Sequence, residues 1–269
     1  MTTLPEYLES RLLRAAGFRH AFFTRRGGVS EGPFATLNFS AAAGDSDSAV
    51  SENLARAAAA LGVQVTRLYF LTQVHGNRTC QLVGDEAAED VRERSGDAIL
   101  SRCPDLACCV RVADCVPILI GDQFSGEAAA VHAGWRGAVA GVVPAAVAEL
   151  ASGGGKPARM VAAIGPHISL AAFEVSEPVA AQLASASTAA DVVDRSRSPR
   201  PHVDLGRLIR AQLREAGLAD DAIDDIRGCT VGEPDSFFSY RRDGKRSGRH
   251  LAAIVPRAAS ARCAGPPHA

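Results

Sequence analysis

Apolar residues fall at helical spacing over 8–16, and Gly17 is placed to end that segment. The next apolar stretch, His20-Ala21-Phe22-Phe23-Thr24, reads as a strand. It runs into Arg25-Arg26-Gly27-Gly28-Val29-Ser30, where paired glycines admit positive φ and close backbone approach. Residues 48–61 predict an alanine-rich helix with a serine at its start and Gly62 at its end. From there to His132 the pattern is mostly strand, at 68–72, 79–83, 98–100, 106–112, 118–120 and 128–132. Residues 137–150 predict a helix that Pro144 kinks or divides. A glycine-rich turn at 153–157 leads to a strand at 160–164, and 205–216 is an amphipathic helix closed by Gly217. Residues 185–201 mix small, charged and proline residues and are expected to form an exposed, mobile excursion; the tail, 258–269, is expected to fray.

Strands outnumber crossover helices, and several neighbouring strands lie only a turn apart. Antiparallel or mixed pairing follows, and the expected fold class is α+β. With 269 residues and no linker-like composition break, the expectation is a single domain spanning 1–269. The 29 basic and 30 acidic residues cancel to −1, which gives no electrostatic case for nucleic acid or an anionic membrane. No apolar run approaches the length of a membrane span. The first residues lack a cationic segment followed by an apolar one, and the seven cysteines have no disulfide-framework spacing. A cytoplasmic protein with reduced thiols is expected.

Three residues stand where apolar runs give way to small or polar ones: His75 in Gln73-Val74-His75-Gly76, Cys115 in Ala113-Asp114-Cys115-Val116-Pro117, and His132 in Val131-His132-Ala133-Gly134-Trp135-Arg136-Gly137. Two imidazoles and a thiolate suit Zn²⁺, and three protein ligands leave a fourth position open, as catalytic zinc requires. His132 would face the same edge as the other strand ends if the strands ran parallel. His167 lies in a turn able to border the cleft. Cys108 and Cys109 are adjacent on a strand, so they face opposite ways and cannot share an ion. Arg241 and Arg242 follow Phe237, Phe238 and Tyr240, an arrangement that can offer a stacking face beside a phosphate clamp. Arg25, beside Gly27-Gly28, is a second candidate anion contact.

Taken in order, Thr24-Arg25-x-Gly27-Gly28-Val29-Ser30, Leu37-Asn38, Gln73-Val74-His75-Gly76, Gly96-Asp97-Ala98, Ala113-Asp114-Cys115-x-Pro117, His132-Ala133-Gly134-Trp135-Arg136-Gly137, Ile164-Gly165-Pro166, Phe173-Glu174-Val175 and Phe237-Phe238-Ser239-Tyr240-Arg241-Arg242-Asp243 resemble the YfiH family. Its members carry the names multicopper polyphenol oxidase (laccase), purine nucleoside phosphorylase with adenosine deaminase activity, or peptidoglycan editing factor. The resemblance implies an α/β/β/α layered fold, likened to the catalytic domain of cytotoxic necrotizing factor. It also implies His75, Cys115 and His132 as zinc ligands; Arg25, Asn38, Arg241 and Arg242 are the expected substrate contacts. Ser176 and His167 depart from the family pattern, and the turn around Lys245-Arg246 is longer than usual.

The function implied is a zinc-dependent purine nucleoside enzyme acting by adenosine deamination, phosphorolysis or both, on small-molecule nucleosides and phosphate. Proton transfer in deamination would fall to Asp114 or Glu174, a choice the sequence leaves open. The alternative is a Cys–His amidase that edits peptidoglycan precursors, with Cys115 as nucleophile and His132 as base. A copper oxidase is disfavoured because seven histidines, several in loops or tails, are too few for its centres. A non-enzymatic zinc protein would need a closed fourth ligand. Oligomeric state is left open.

Overall fold

The computed structural model describes residues 4–188, 191–196 and 199–259. The strands in chain order are β1 (Tyr7–Leu8), β2 (Arg19–Phe23), β3 (Leu68–Tyr69), β4 (Thr79–Leu82), β5 (Ala98–Ser101), β6 (Ala107–Val112), β7 (Val116–Asp122), β8 (Ala128–Ala133), β9 (Met160–Ile164), β10 (Val193–Asp194), β11 (His202–Val203), β12 (Ile223–Asp225) and β13 (His250–Val255). The helices are α1 (Arg11–Ala15), α2 (Asp47–Leu61), α3 (Ala88–Glu93), α4 (Trp135–Ala140), α5 (Val142–Ser152), α6 (Glu177–Ala184), α7 (Leu205–Glu215) and α8 (Tyr240–Asp243).

Two mixed sheets form the centre, ordered β1-β2-β13-β6-β3 and β12-β9-β7-β8-β5-β4. The α+β expectation holds, and the residue pattern explains the layering. Along β7, Ile118 and Ile120 pack toward the helices α4 to α7, while Leu119 between them packs toward the other sheet. Ile99 and Leu100 on β5 divide in the same way. A strand buried on both faces reads as a continuous apolar run, as here. Cys108 joins the core between the sheets and Cys109 the core under α2, so the adjacent thiols do face apart. The order is therefore helices, six-stranded sheet, five-stranded sheet, α2.

Helix boundaries follow local chemistry. Ser46 caps α2 by accepting the Ala49 N–H, and Gly62 ends it at φ 65°. The predicted 137–150 helix is divided, but at Gly141 (φ 81°) rather than at Pro144. Pro144 sits in the first turn of α5, where its missing N–H has no partner to lose. Of the 185–201 excursion, β10 pairs antiparallel with β11 just beyond it. The tail from residue 260 lies outside the described residues. Among the described residues no helix is long and apolar enough to cross a membrane.

One buried histidine gives the fold a pH signature. His250 Nδ1 lies 3.2 Å from the Phe23 carbonyl, and its Nε2 lies 2.7 Å from the Phe238 N–H. The second contact requires an acceptor, so the ring is neutral with its proton on Nδ1. Burial pushes its pKa down to about 4. The unfolded ring titrates near ~6.5, so between those values the unfolded chain takes up a proton that the folded chain refuses. Stability is therefore full above pH ~6.5 and is lost as pH falls toward 4, by about 2 kcal/mol at pH 5 from this ring alone. Denaturant midpoints at pH 7 and pH 5 check this; equal midpoints would refute it. His20, also held low by burial, acts in the same direction.

Candidate metal centre

Strand pairing brings the three donors together. In the antiparallel β7–β8 pair, Pro117 sits opposite His132 and Val116 opposite Ala133, so Cys115, just ahead of β7, meets the end of β8. His75 arrives on the loop that leaves β3 and enters β4. One nitrogen from each imidazole and the Cys115 sulfur all lie within 4.8 Å of one another. The condition set for His132 is not met, since β8 runs antiparallel to both β5 and β7, in keeping with the antiparallel or mixed pairing expected. The donors converge because the start of one strand lies beside the end of the next.

The pocket around the cluster is shaped for it. A Cβ on Gly134 would stand 3.0 Å from the Cys115 sulfur and 3.0 Å from His75 Cδ2, so only hydrogen fits there without displacing a donor. The two imidazoles meet edge to face, with ring centroids 4.8 Å apart. His132 is buried, Cys115 half-buried and His75 exposed, which leaves the cluster open on one side.

Asp97 organises the surroundings of both histidines. Its Oδ1 lies 2.8 Å from His132 Nδ1 and accepts the His75 N–H at 2.9 Å. Its Oδ2 accepts the N–H groups of Gly76 at 2.7 Å and Val74 at 3.3 Å. Its backbone carbonyl accepts the His132 N–H at 2.7 Å. Burial alone would raise this carboxyl's pKa, but the hydrogen bonds from His132 and the loop amides hold it below the ordinary value. With Nδ1 engaged, Nε2 of His132 is left to face the cluster. Burial likewise presses the Cys115 thiol up, yet the His132 and His75 rings bring it down to about 6. Burial presses His132 down, and Cys115 with Asp97 raises it to about 9. A setting that favours a thiolate beside a positive charge suits a bound cation.

Two non-glycine residues near the cluster have left-handed backbones, His75 at φ 59° and Asp114 at φ 85°. Asp114 is held there by its carboxylate, which accepts Thr230 Oγ1 and the Arg241 N–H, each at 2.6 Å. Gln73 pairs reciprocally with the backbone of Arg111: its Oε1 accepts the Arg111 N–H and its Nε2 donates to the Arg111 carbonyl, both at 2.8 Å. The loop carrying His75 is thereby stitched to β6.

A cavity of about 620 Å³ adjoins the cluster. His75, Cys115 and His132 line it, together with the aromatic rings of Phe173 and Tyr240 and the side chains of Arg111, Arg241 and Arg249. Of the four residues placed on the substrate side by sequence, Arg241 lines this cavity, and Arg25, Asn38 and Arg242 do not. The Arg25 guanidinium donates to the carbonyls of Ala35 and Pro234 and stacks on Phe238. Asn38 is fully buried, with its amide bonded to Ser40, Asp45 and Arg249. Arg242 donates to Asp243 and to the carbonyls of Thr230 and Phe237. All three hold loops in place. His167 is bonded to the Gly165 carbonyl and packs against Gly206, away from the cluster.

Sequence reasoning missed Asp97, Arg111 and Arg249. Asp97 sits in a motif quoted for the family resemblance, and a lone acid opening the apolar run Ala98-Ile99-Leu100 was the signal available.

The fold is a two-sheet α+β sandwich in which a His–Cys–His cluster able to hold a metal ion opens beside a cavity. The chain belongs to the family described as multi-copper polyphenol oxidoreductase laccase, whose model matches residues 19–257. It is 40% identical over 249 residues to a purine nucleoside phosphorylase of Deinococcus radiodurans, covering 91% of this chain and 93% of that protein. It is 41% identical over 227 residues to a purine nucleoside phosphorylase of Streptomyces coelicolor, covering 84% of this chain and 91% of the relative. The crystal structure of YlmD from Geobacillus stearothermophilus superimposes with a TM-score of 0.86 at 29% identity, over 92% of this chain and 94% of that one.

Proposed function

We propose that this chain is a zinc-dependent purine nucleoside phosphorylase, with His75, Cys115 and His132 as metal ligands and the adjoining cavity as the nucleoside site. The observation that carries the reading is the meeting of two imidazoles and a thiol on the wall of a cavity of small-molecule size. The names of the relatives supply the substrate class.

The donor set fits zinc with a position left open. The same donors also occur in blue-copper centres, but a multicopper oxidase needs further copper sites. Among the described residues no second set of three donors meets. When bound, zinc supplies Lewis acidity toward an oxygen atom. The chain's own residues do the rest. Phe173 and Tyr240 offer aromatic surface to a purine. Arg111, Arg241 and Arg249 make the cavity cationic, which suits a phosphate dianion. A phosphate oxygen attacks C1′ of the nucleoside, the C1′–N9 bond breaks, and the purine leaves with the proton that the phosphate gives up.

Phosphorolysis is preferred over deamination because the two carboxylates considered for proton transfer are engaged elsewhere. Asp114 holds Thr230 and Arg241, and Glu174 faces Arg200 at 3.5 Å. Product analysis on adenosine tests both reactions. The zinc-loaded protein is expected to release adenine and ribose 1-phosphate only when phosphate is present, and to stop when chelated. Inosine and ammonia would show deamination instead, and the absence of all these products would overturn the nucleoside reading.

One observation favours a second reading. Asp97, His132 and Cys115 also form the arrangement of a thiol hydrolase, with the thiol held at about 6. This is the amidase alternative, and chelation separates the two: it abolishes zinc chemistry and spares or enhances a free thiolate.

A further inference from the structure

We infer that a chamber beside the main cavity is a binding site for a phosphoryl group, built on Arg111 and Arg92. The chamber holds about 390 Å³ and shares Ser40 and Arg111 with the cavity beside the metal cluster. The two guanidinium groups lie over the same ring, Phe70, with their carbons 4.9 Å and 6.0 Å from its centroid. Among the described residues no carboxylate or carbonyl accepts a hydrogen bond from either one. Asp47, the acid lining the chamber, makes no ion pair with them.

That arrangement is costly for the protein alone. Arg111 is half-buried, and Arg92 and Arg249 add like-charge repulsion to its desolvation. Gln73 fixes the Arg111 backbone on both sides, so the side chain cannot swing away with its strand. A phosphoryl dianion would accept from both guanidinium groups, relieve the repulsion, and sit in the chamber that meets the main cavity at Ser40 and Arg111.

Two carriers bring the same group. It is either inorganic phosphate, the co-substrate of phosphorolysis, or the 5′-phosphate of a nucleotide whose base occupies the main cavity. The choice of carriers rests on the nucleoside reading above, whereas the site itself does not.

Calorimetric titration of the zinc-loaded protein with orthophosphate, adenosine 5′-monophosphate and adenosine tests the inference without turnover. At least one phosphoryl probe is expected to bind, and Arg111→Met is expected to weaken it roughly ten- to a hundredfold, the worth of one charge-assisted hydrogen bond. The exposed Arg92→Met provides an independent variant and is expected to act in the same direction. Zinc content should match wild type in both variants. If orthophosphate binding alone depends on these arginines, the site serves free phosphate. If the nucleotide binds more tightly than adenosine and the difference vanishes in the variants, the site serves a nucleotide. Failure of wild type to bind either phosphoryl probe, or unchanged affinity in both variants, overturns the inference. Loss of phosphorolysis with binding intact would instead count against the proposed reaction.

Discussion

Replacing Cys115 with alanine is expected to lower bound zinc from about one ion per chain to a small fraction and to cut nucleoside turnover roughly 10³-fold. The magnitude is that of the several kcal/mol a catalytic metal contributes, at about 1.4 kcal/mol per factor of ten. Cys115 is one of three donors within 4.8 Å of each other, and the remaining two imidazoles cannot close a site alone. Alanine removes the sulfur without adding volume beside Gly134, so the fold should persist. Elemental analysis of wild type and variant, run with the nucleoside assay, decides the matter. Zinc retained at wild-type stoichiometry in Cys115→Ala would sink the ligand assignment.

The second large effect belongs to Asp97. Asp97→Ala is expected to cost about 3–5 kcal/mol of stability, the range for breaking a buried ionic partnership, because the amides of Val74, His75 and Gly76 and the ring of His132 lose an acceptor together. Asp97→Asn keeps the volume and one acceptor oxygen. For that variant the expected loss is smaller in stability and roughly 10- to 100-fold in zinc affinity, as befits a group that orients a ligand. Urea unfolding with competitive zinc titration separates the two effects. A variant as stable and as tightly metallated as wild type would show that the carboxylate organises nothing.

The donors were legible in sequence for a physical reason: strand ends present polar side chains where apolar runs stop, and His75, Cys115 and His132 all sit at such stops. The layering was legible in part. The continuous burial of β7 follows from its apolar run, but its antiparallel pairing with β8 does not, because alternation carries no information about which strand lies beside which. For the same reason the meeting of Asp97 with His132 was invisible, since it depends on Ala98 of β5 falling opposite Val131 of β8. Arg25 read as an anion contact because it stands beside Gly27-Gly28, and Arg242 because aromatic residues lead into a double arginine and a turn. In the fold their guanidinium groups are taken up by carbonyls from other loops, Ala35 and Pro234 for Arg25 and Thr230 for Arg242. Arg111 reads as one polar position in an apolar strand, and only the third dimension sets it next to Phe70 and Arg92. At Gly141 the helix breaks through a left-handed residue, a stronger interruption than a proline in a first turn.

The loop bearing His75 departs from β3, at the margin of the five-stranded sheet, and enters β4, at the margin of the six-stranded one. Cys115 likewise lies on the crossover from β6 of the five-stranded sheet to β7 of the six-stranded one, while His132 sits within β8. The triangle of donors is thus a gauge of the spacing between the two layers. Swelling or thinning the interior at a remote residue such as Leu119 or Ile254, both packed between the sheets, would be transmitted to the distances among the three donors although neither side chain lines the cavity beside them.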